Sequence, residues 1–208
     1  MKKHNFLLRR RNKIIFNEVP LLFGISGVAR CGKDTLKTHL LNKFQKMGLP
    51  SISISFATAL KQDLDPFLKE KLNISAFTEN SSEKQIIRPM LVCWGTDTCR
   101  KINPDFWIEK IEKRIQSSIE NKIIVVIPDV RYENEAKWIQ KNGGFVIHLT
   151  RMGIKPANFE EKVNDPIVKK IANAHIRWKT FSEEKKTCNY HISKLFFNQG
   201  WTTYGKFK

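Results

Sequence analysis

A doubly wound parallel α/β sheet is the fold class that this sequence predicts, and three observations predict it. The first is Leu21 to Leu36, LLFGISGVARCGKDTL, where an apolar run breaks into a glycine-bounded loop and helical spacing follows. The second is the alternation of apolar, strand-length runs with helical stretches, which is the rhythm of βαβ units. The third is Ile123 to Ile127, five consecutive apolar residues, as a strand covered on both faces of a parallel sheet requires.

Taken in order, residues 1 to 18 read as a basic lead-in and Leu21 to Ser26 as a buried strand. Leu36, Leu40, Leu41, Phe44 and Met47 recur at helical spacing until Gly48 and Pro50 stop the helix. Ser51 to Phe56 alternates Ile52, Ile54 and Phe56 with serines, a second strand, and Ala57 to Phe67 reads as a helix. Leu68 to Ser82 is polar and irregular and is expected as a loop, with helical patterning resuming from Glu83 to Leu91. Asp105 to Ile119 sets Phe106, Ile108, Ile111, Ile115 and Ile119 on one broad helical face. After the Ile123 strand, Asn134 to Lys141 is a short helix closed by Gly143-Gly144, and Phe145 to Leu149 is another buried strand.

The loop carries chemistry. In Gly27-x-x-x-x-Gly32-Lys33, glycines allow the backbone angles and close approach that let successive N–H groups point at one anion. Lys33 adds a point charge for the outer phosphates, and the helix starting there adds its partial positive charge. A general phosphate loop has Ser or Thr after the lysine, to hold Mg²⁺ through a hydroxyl; this chain has Asp34. Thr35 cannot take that place, because one step along a helix turns a side chain by roughly 100°. Asp34 is a hard oxygen ligand for Mg²⁺, directly or through water.

A second group closes the central strand, Val125-Val126-Ile127-Pro128-Asp129-Val130-Arg131. Ligands of open parallel sheets bind beyond the carboxyl ends of strands, so Asp129 is expected on the same edge as the loop, holding Mg²⁺ through water. Arg131 can reach transferring phosphoryl oxygens, and Glu135 follows one helical turn later. A structural alternative has Asp129 capping the next helix and Arg131 paired with Glu135.

Composition narrows the classes. The 208 residues fit one α/β domain, and 41% apolar and 11% aromatic residues suffice for a sizeable core. No apolar run approaches the roughly 18 residues of a membrane span, and Met1 to Arg11 has no signal-peptide core, so a cytoplasmic protein with no membrane partner is expected. The four cysteines form no C-x-x-C pair and are expected as reduced thiols, with Cys31 inside the loop and open to reaction. A net charge of +17 suits polyanionic ligands, but the basic residues are dispersed and only Arg9-Arg10-Arg11 clusters tightly. That favours a lysine-rich solvated surface over a nucleic-acid footprint. His175 and His191 read as structural.

The order of further pieces is specific: Phe56-Ala57-x-x-Leu60-Lys61, Arg88-x-x-Leu91-x-x-Trp94-Gly95-Thr96-Asp97-x-x-Arg100, Pro104-Asp105-x-Trp107, Asp129-Val130-Arg131-x-x-Asn134-Glu135, Gly143-Gly144 and Arg151. Together with the Gly32-Lys33-Asp34-Thr35 ending they resemble the bacteriophage-type deoxynucleoside monophosphate kinases. The resemblance covers roughly residues 21 to 151, with a weaker echo in Ser182-Glu183 and Cys188 to Ile192. It departs most at the C-terminal end, where an acidic residue expected near Asn189 is missing.

The resemblance implies a single phosphate-loop kinase domain over 1–208, with core sheet in 21–56 and 120–151, a helical substrate-binding segment in 57–119 and a lid in 151–180. It implies transfer of the γ-phosphate of ATP to a deoxynucleoside 5′-monophosphate, with Mg²⁺. On this reading Gly27, Gly32, Lys33, Asp34 and Thr35 hold ATP, Asp34 and Asp129 serve the metal, and Lys33, Asp129 and Arg131 are catalytic. Lys61, Arg88, Gly95, Thr96, Arg100, Trp107 and Glu135 are the acceptor-site candidates, with arginines for the acceptor phosphate and Trp107 preferred over Trp94 for stacking on a base. Arg151 or Lys155 of the lid would close over ATP. A homodimer stays open. Two rivals share the loop: another small-molecule phosphate-loop kinase, and a nucleic-acid-dependent ATPase or binding module.

Overall fold

The computed structural model describes residues 18–179 and 181–201, with side chains 181–186 outside the description. The basic lead-in, Arg9-Arg10-Arg11 and the Ser182-Glu183 side chains therefore lie outside the described residues.

Five parallel strands form the sheet: β1 (Leu22–Ser26), β2 (Ser51–Ser53), β3 (Ile124–Val130), β4 (Phe145–Arg151) and β5 (Ala174–Trp178). Their spatial order is β2-β3-β1-β4-β5. The order reverses at β1, so the loop leaving β1 emerges between two neighbours whose connections run to opposite sides. Ser26 at the end of β1 stands in register with Val130 at the end of β3. The phosphate loop and the Asp129 strand end therefore share one edge, the position at which open sheets bind ligands.

The helices are α1 (Lys33–Lys46), α2 (Phe56–Leu72), α3 (Ser81–Val92), α4 (Phe106–Glu120), α5 (Glu133–Lys141), α6 (Phe159–Ile171) and α7 (Phe181–Gln199). They cover both sheet faces because adjacent strand residues point to opposite sides. On one face Phe23, Ile25, Val126 and Ile147 meet Leu36, Leu40 and Phe44 of α1 and Phe196 of α7. Phe23 packs its ring 5.2 Å from Phe44 and edge-on at 5.4 Å from Trp201. On the other face Leu22, Val125, Ile127 and Val146 meet Ile111 and Ile115 of α4 and Ile139 of α5. His39 of α1 and Asn189 of α7 join at 2.8 Å, the place where an acidic residue was expected and is absent.

Four expectations need correction. The second strand stops at Ser53; Phe56 opens α2 instead, because Ser55 accepts from the Thr58 N–H and caps it. α2 continues to Leu72, so the loop expected at 68–82 is confined to residues 73–80, since Leu68 is buried against Ala76 and Ile87 in a small third core. The helix expected from Glu83 to Leu91 does not stop there: α3 passes directly into a π-helical stretch, Cys93–Arg100, after Pro89 removes one backbone donor. Finally, 151–180 is no loose lid throughout, because β5 pairs with β4 and buries Ile176 and Trp178 in the core.

No helix among the described residues is long and apolar enough to cross a membrane. All four cysteines are free thiols. Cys31 is fully buried and burial pushes its thiol pKa up, so the loop thiol is not an activated nucleophile.

Candidate active site

The chain leaves β1 at Ser26 and turns through Gly27 with φ +136, where a Cβ would strike the Leu149 carbonyl and the Cys31 sulfur. Gly32 caps α1, and Lys33 is its first residue. The Lys33 ammonium bridges the loop, donating to the Gly27 carbonyl at 2.7 Å and the Val28 carbonyl at 2.8 Å. Thr35 is half-buried on the first turn of α1. Asp34 is 89% exposed and paired with Lys37 at 2.8 Å.

Arg151 does not hang over the loop as a lid residue. It ends β4, is 5% exposed, and donates from Nη1 to the Arg30 carbonyl at 2.9 Å. Its guanidinium lies 5.8 Å from the Trp178 ring, so β4 and β5 brace the loop from beneath. Burial holds its pKa below the ordinary arginine value.

Asp129 reaches across to α2. Its carboxylate accepts from Ser55 Oγ at 2.9 Å, the Phe56 N–H at 3.2 Å and the Ala57 N–H at 2.7 Å. It thus caps a helix, but the one before it in sequence rather than the one after. The helix that follows, α5, is capped by Glu135, which accepts from the Arg131 and Tyr132 N–H groups at 2.7 and 3.0 Å. Glu135 is fully buried and its other oxygen binds Arg100 Nη2 at 2.7 Å. Arg100, not Arg131, is therefore the partner of Glu135. Burial raises the Glu135 pKa, opposed by Arg100 and the two amides. The Arg131 guanidinium is half-exposed and lies 3.9 Å from Glu161 of α6.

Arg100 is the centre of the arrangement. Its guanidinium sits 4.2 Å from the ring centre of Tyr132, within cation–π range. One nitrogen is taken by Glu135, while Nη1 is buried with no hydrogen-bond partner among the described residues. A buried donor of this kind is costly unless a ligand or water meets it.

An open cleft brings together Arg88, Gly95, Thr96, Arg100, Trp107, Asp129 and Arg131, with Phe56, Leu60, Leu91 and Tyr132 on its walls. Gly95 is required by close approach, since a Cβ there would stand 2.9 Å from a Leu60 methyl. Trp107 is 1% exposed and its indole N–H donates to the Gly95 carbonyl at 3.0 Å, so it forms the floor of the cleft. Lys61 lies outside, its ammonium 5.5 Å from the Phe77 ring. Glu135 lies beneath and acts through Arg100.

Sequence reasoning missed Tyr132, Glu161 and Ser55. Tyr132 follows Arg131 directly and donates its O–H to Glu160 at 3.0 Å, while burial raises its phenol pKa. An aromatic beside a strand-end arginine was a usable signal. Glu161 offered none, because its partner is 132 positions away.

No group of three or more His, Cys, Asp or Glu among the described residues could cage a metal. Mg²⁺ needs no such cage, because it keeps several waters and takes one or two carboxylates plus substrate phosphates. Asp129 at the loop edge, near the buried Ser26 hydroxyl, which has no hydrogen-bond partner among the described residues, fits that kind of site.

The family model described as phosphomevalonate kinase matches residues 25–145, more than half of the chain. Among solved structures, dephospho-CoA kinase from Campylobacter jejuni is 15% identical, with a TM-score of 0.49 over 84% of this chain and 96% of that one. TT1252 from Thermus thermophilus is 12% identical, with a TM-score of 0.43 over 85% of this chain and 97% of that one. No curated protein matches. With a glycine-bounded loop feeding α1 in a parallel sheet and the matched segment running from β1 to β4, the chain belongs to the phosphomevalonate kinase family, as a phosphate-loop kinase that takes ATP and a small-molecule acceptor.

Proposed function

We propose that the acceptor is a deoxynucleoside 5′-monophosphate, phosphorylated by ATP to the diphosphate. The observation that carries this is the buried Arg100 Nη1, without a hydrogen-bond partner among the described residues, in a cleft that shares Arg131 and Tyr132 with the pocket at Gly27. It argues for a second anion site, and two phosphate sites are what a phosphomonoester acceptor needs. The apolar and aromatic walls given by Phe56, Leu60 and Leu91 favour an acceptor with a flat ring over a small aliphatic one. The resemblance in motif order supports the same choice.

In the proposed reaction an acceptor phosphate oxygen bonds to the γ-phosphorus and the bond to the β-phosphate oxygen breaks, releasing ADP. The loop amides and Lys33 hold the donor phosphates. Arg100 and Arg88 hold the acceptor phosphate, and Arg131, between the two sites, meets charge on the transferring group. Asp129 and Asp34 would hold the Mg²⁺ that comes with ATP, and it would neutralise phosphate charge there. No protein base is required, since positioning and charge neutralisation dominate such transfers.

The test is an acceptor panel with Mg-ATP and purified protein: dAMP, dGMP, dCMP, dTMP and a modified pyrimidine deoxynucleotide, beside phosphomevalonate and dephospho-CoA. At least one deoxynucleotide is expected to give its diphosphate, and more than one base to be accepted, because stacking without edge contacts tolerates bases. Turnover is expected to change little when DNA is added. Phosphorylation of phosphomevalonate alone, or ATP hydrolysis that climbs only with DNA, would overturn the proposal.

A further inference from the structure

The phosphate loop already holds an anion, and the anion is the protein's own. Both carboxylate oxygens of Glu161 accept from the Ala29 N–H, at 3.2 and 3.1 Å, across 132 positions of sequence. Ala29 lies between Gly27 and Gly32, in the run of amides that a phosphate loop turns toward its ligand.

The first turn of α6 presents this side chain in a fixed pose. Asn158 accepts from the Glu161 N–H at 2.8 Å, and the Ala157 N–H donates to Glu161 Oε2 at 2.9 Å. The Arg131 guanidinium stands 3.9 Å away, and the Glu161 side chain is only 11% exposed. α6 is already capped by the Asn158 side chain, with the Ala157 bond beside it. The extra reach to Ala29 puts negative charge where the donor's phosphates belong. The preceding residue touches the other site: Glu160 accepts from the Tyr132 O–H at 3.0 Å, and the Tyr132 ring lies against Arg100.

We propose that the start of α6 is a self-blocking strap, in which Glu161 occupies the phosphate position on the loop and ATP binds by expelling it. Expulsion also frees Glu160 from Tyr132, so donor binding loosens the wall of the acceptor cleft. The proposal rests on the phosphate-loop reading. A ligand competing with an internal occupant sees only the open fraction of molecules, and its apparent affinity falls by that fraction. A strap closed in about nine molecules of ten weakens ATP roughly tenfold.

Calorimetric titration with inorganic tripolyphosphate and with Mg-ATP tests this on the wild type, Glu161→Ala, Glu161→Gln and Lys33→Ala, each checked for folding by circular dichroism. Glu161→Ala is expected to bind both probes roughly tenfold tighter. Glu161→Gln keeps the shape and an acceptor oxygen without the charge and should fall between. Lys33→Ala should weaken both probes. Unchanged or weaker binding by folded Glu161→Ala, with Lys33→Ala still weakened, overturns the strap and leaves the loop. Binding indifferent to Lys33→Ala overturns the loop reading and the strap with it. If Glu161→Ala does not fold, Glu161→Gln decides by the same criterion, with tighter binding as the supporting result.

Discussion

Glu135→Gln separates the two things that Glu135 does. Its two oxygens take three donors: the Arg131 and Tyr132 amides at 2.7 and 3.0 Å, and Arg100 Nη2 at 2.7 Å. Glutamine keeps one oxygen for the two amides, which preserves the cap on α5. Its NH₂ then faces the guanidinium, donor against donor, with the arginine charge uncompensated. Breaking a buried ion pair by removing one partner costs about 3–5 kcal/mol. The low end, about 3 kcal/mol, applies because burial already opposes the charged carboxylate and the neutral amide avoids that cost. At roughly 2–4 °C per kcal/mol for a protein of this size, the melting temperature should fall by roughly 6–12 °C. Arg100 also loses its orientation toward the cleft, so the acceptor KM should rise roughly tenfold, the scale of one charged hydrogen bond, with the KM for ATP little changed. Thermal melts and two-substrate kinetics on the same preparation measure both. A melting temperature within about 2 °C of wild type together with an unchanged acceptor KM would refute the reasoning, because neither the pair nor its positioning role would then matter.

Lys33→Ala should retain the fold and lose roughly 10²- to 10³-fold in turnover at saturating ATP, since it removes a preorganised charge from developing phosphoryl oxygens; near-normal turnover would sink the donor-site assignment. Asp129→Asn should lower the melting temperature by weakening the cap on α2, worth about 0.5–2 kcal/mol, and should also raise the Mg²⁺ concentration needed for half-maximal rate; a stability loss with unchanged kcat and metal dependence would make Asp129 a cap alone. Arg131→Ala should lower kcat with little change in melting temperature, because its side chain is 54% exposed and its nearest acid is 3.9 Å away. Asp65 is held below its ordinary pKa of 3.8 by Lys69, then by Ser75, so its contribution to stability is present above about pH 3.8 and is lost as pH falls through the lower folded value. Asp65→Asn should therefore melt below wild type at pH 6, and the difference should shrink as pH falls below about 3.8; a difference that stays constant as the pH is lowered would contradict the assignment.

The parts of the fold that were legible are those where local chemistry and tertiary environment agree. Leu36, Leu40 and Phe44 repeat at helical spacing and are all buried on one side of α1, and Ile124 to Ile127 are apolar on both faces because both faces are covered. β5 was overlooked although His175 and Arg177 alternate with Ile176 and Trp178, because the lysines of the surrounding stretch suggested a lid. Only pairing with β4 makes it a strand. The extension of α2 past Pro66 was hidden for a similar reason: Leu68 finds its partners in Ala76 and Ile87, beyond the reach of any helical period. In the site, the motif residues of the loop and of β3 come together as their order in sequence implied. What the order could not give was pairing. Glu135 belongs to Arg100, 35 positions away, rather than to its near neighbour Arg131, and Arg151 holds up the loop instead of closing over it.

The way Arg151 is held makes the donor site a late product of folding. Its guanidinium fixes the Arg30 carbonyl from one side and lies against the Trp178 indole on the other, so the floor of the loop includes the last strand of the sheet. During synthesis the N-terminal half emerges first, and a nascent chain ending before Ala174 carries every residue of the glycine motif without the strand that sets its height. Nucleotide capture is thereby tied to completion of the sheet, and an unfinished chain has the motif without the grip.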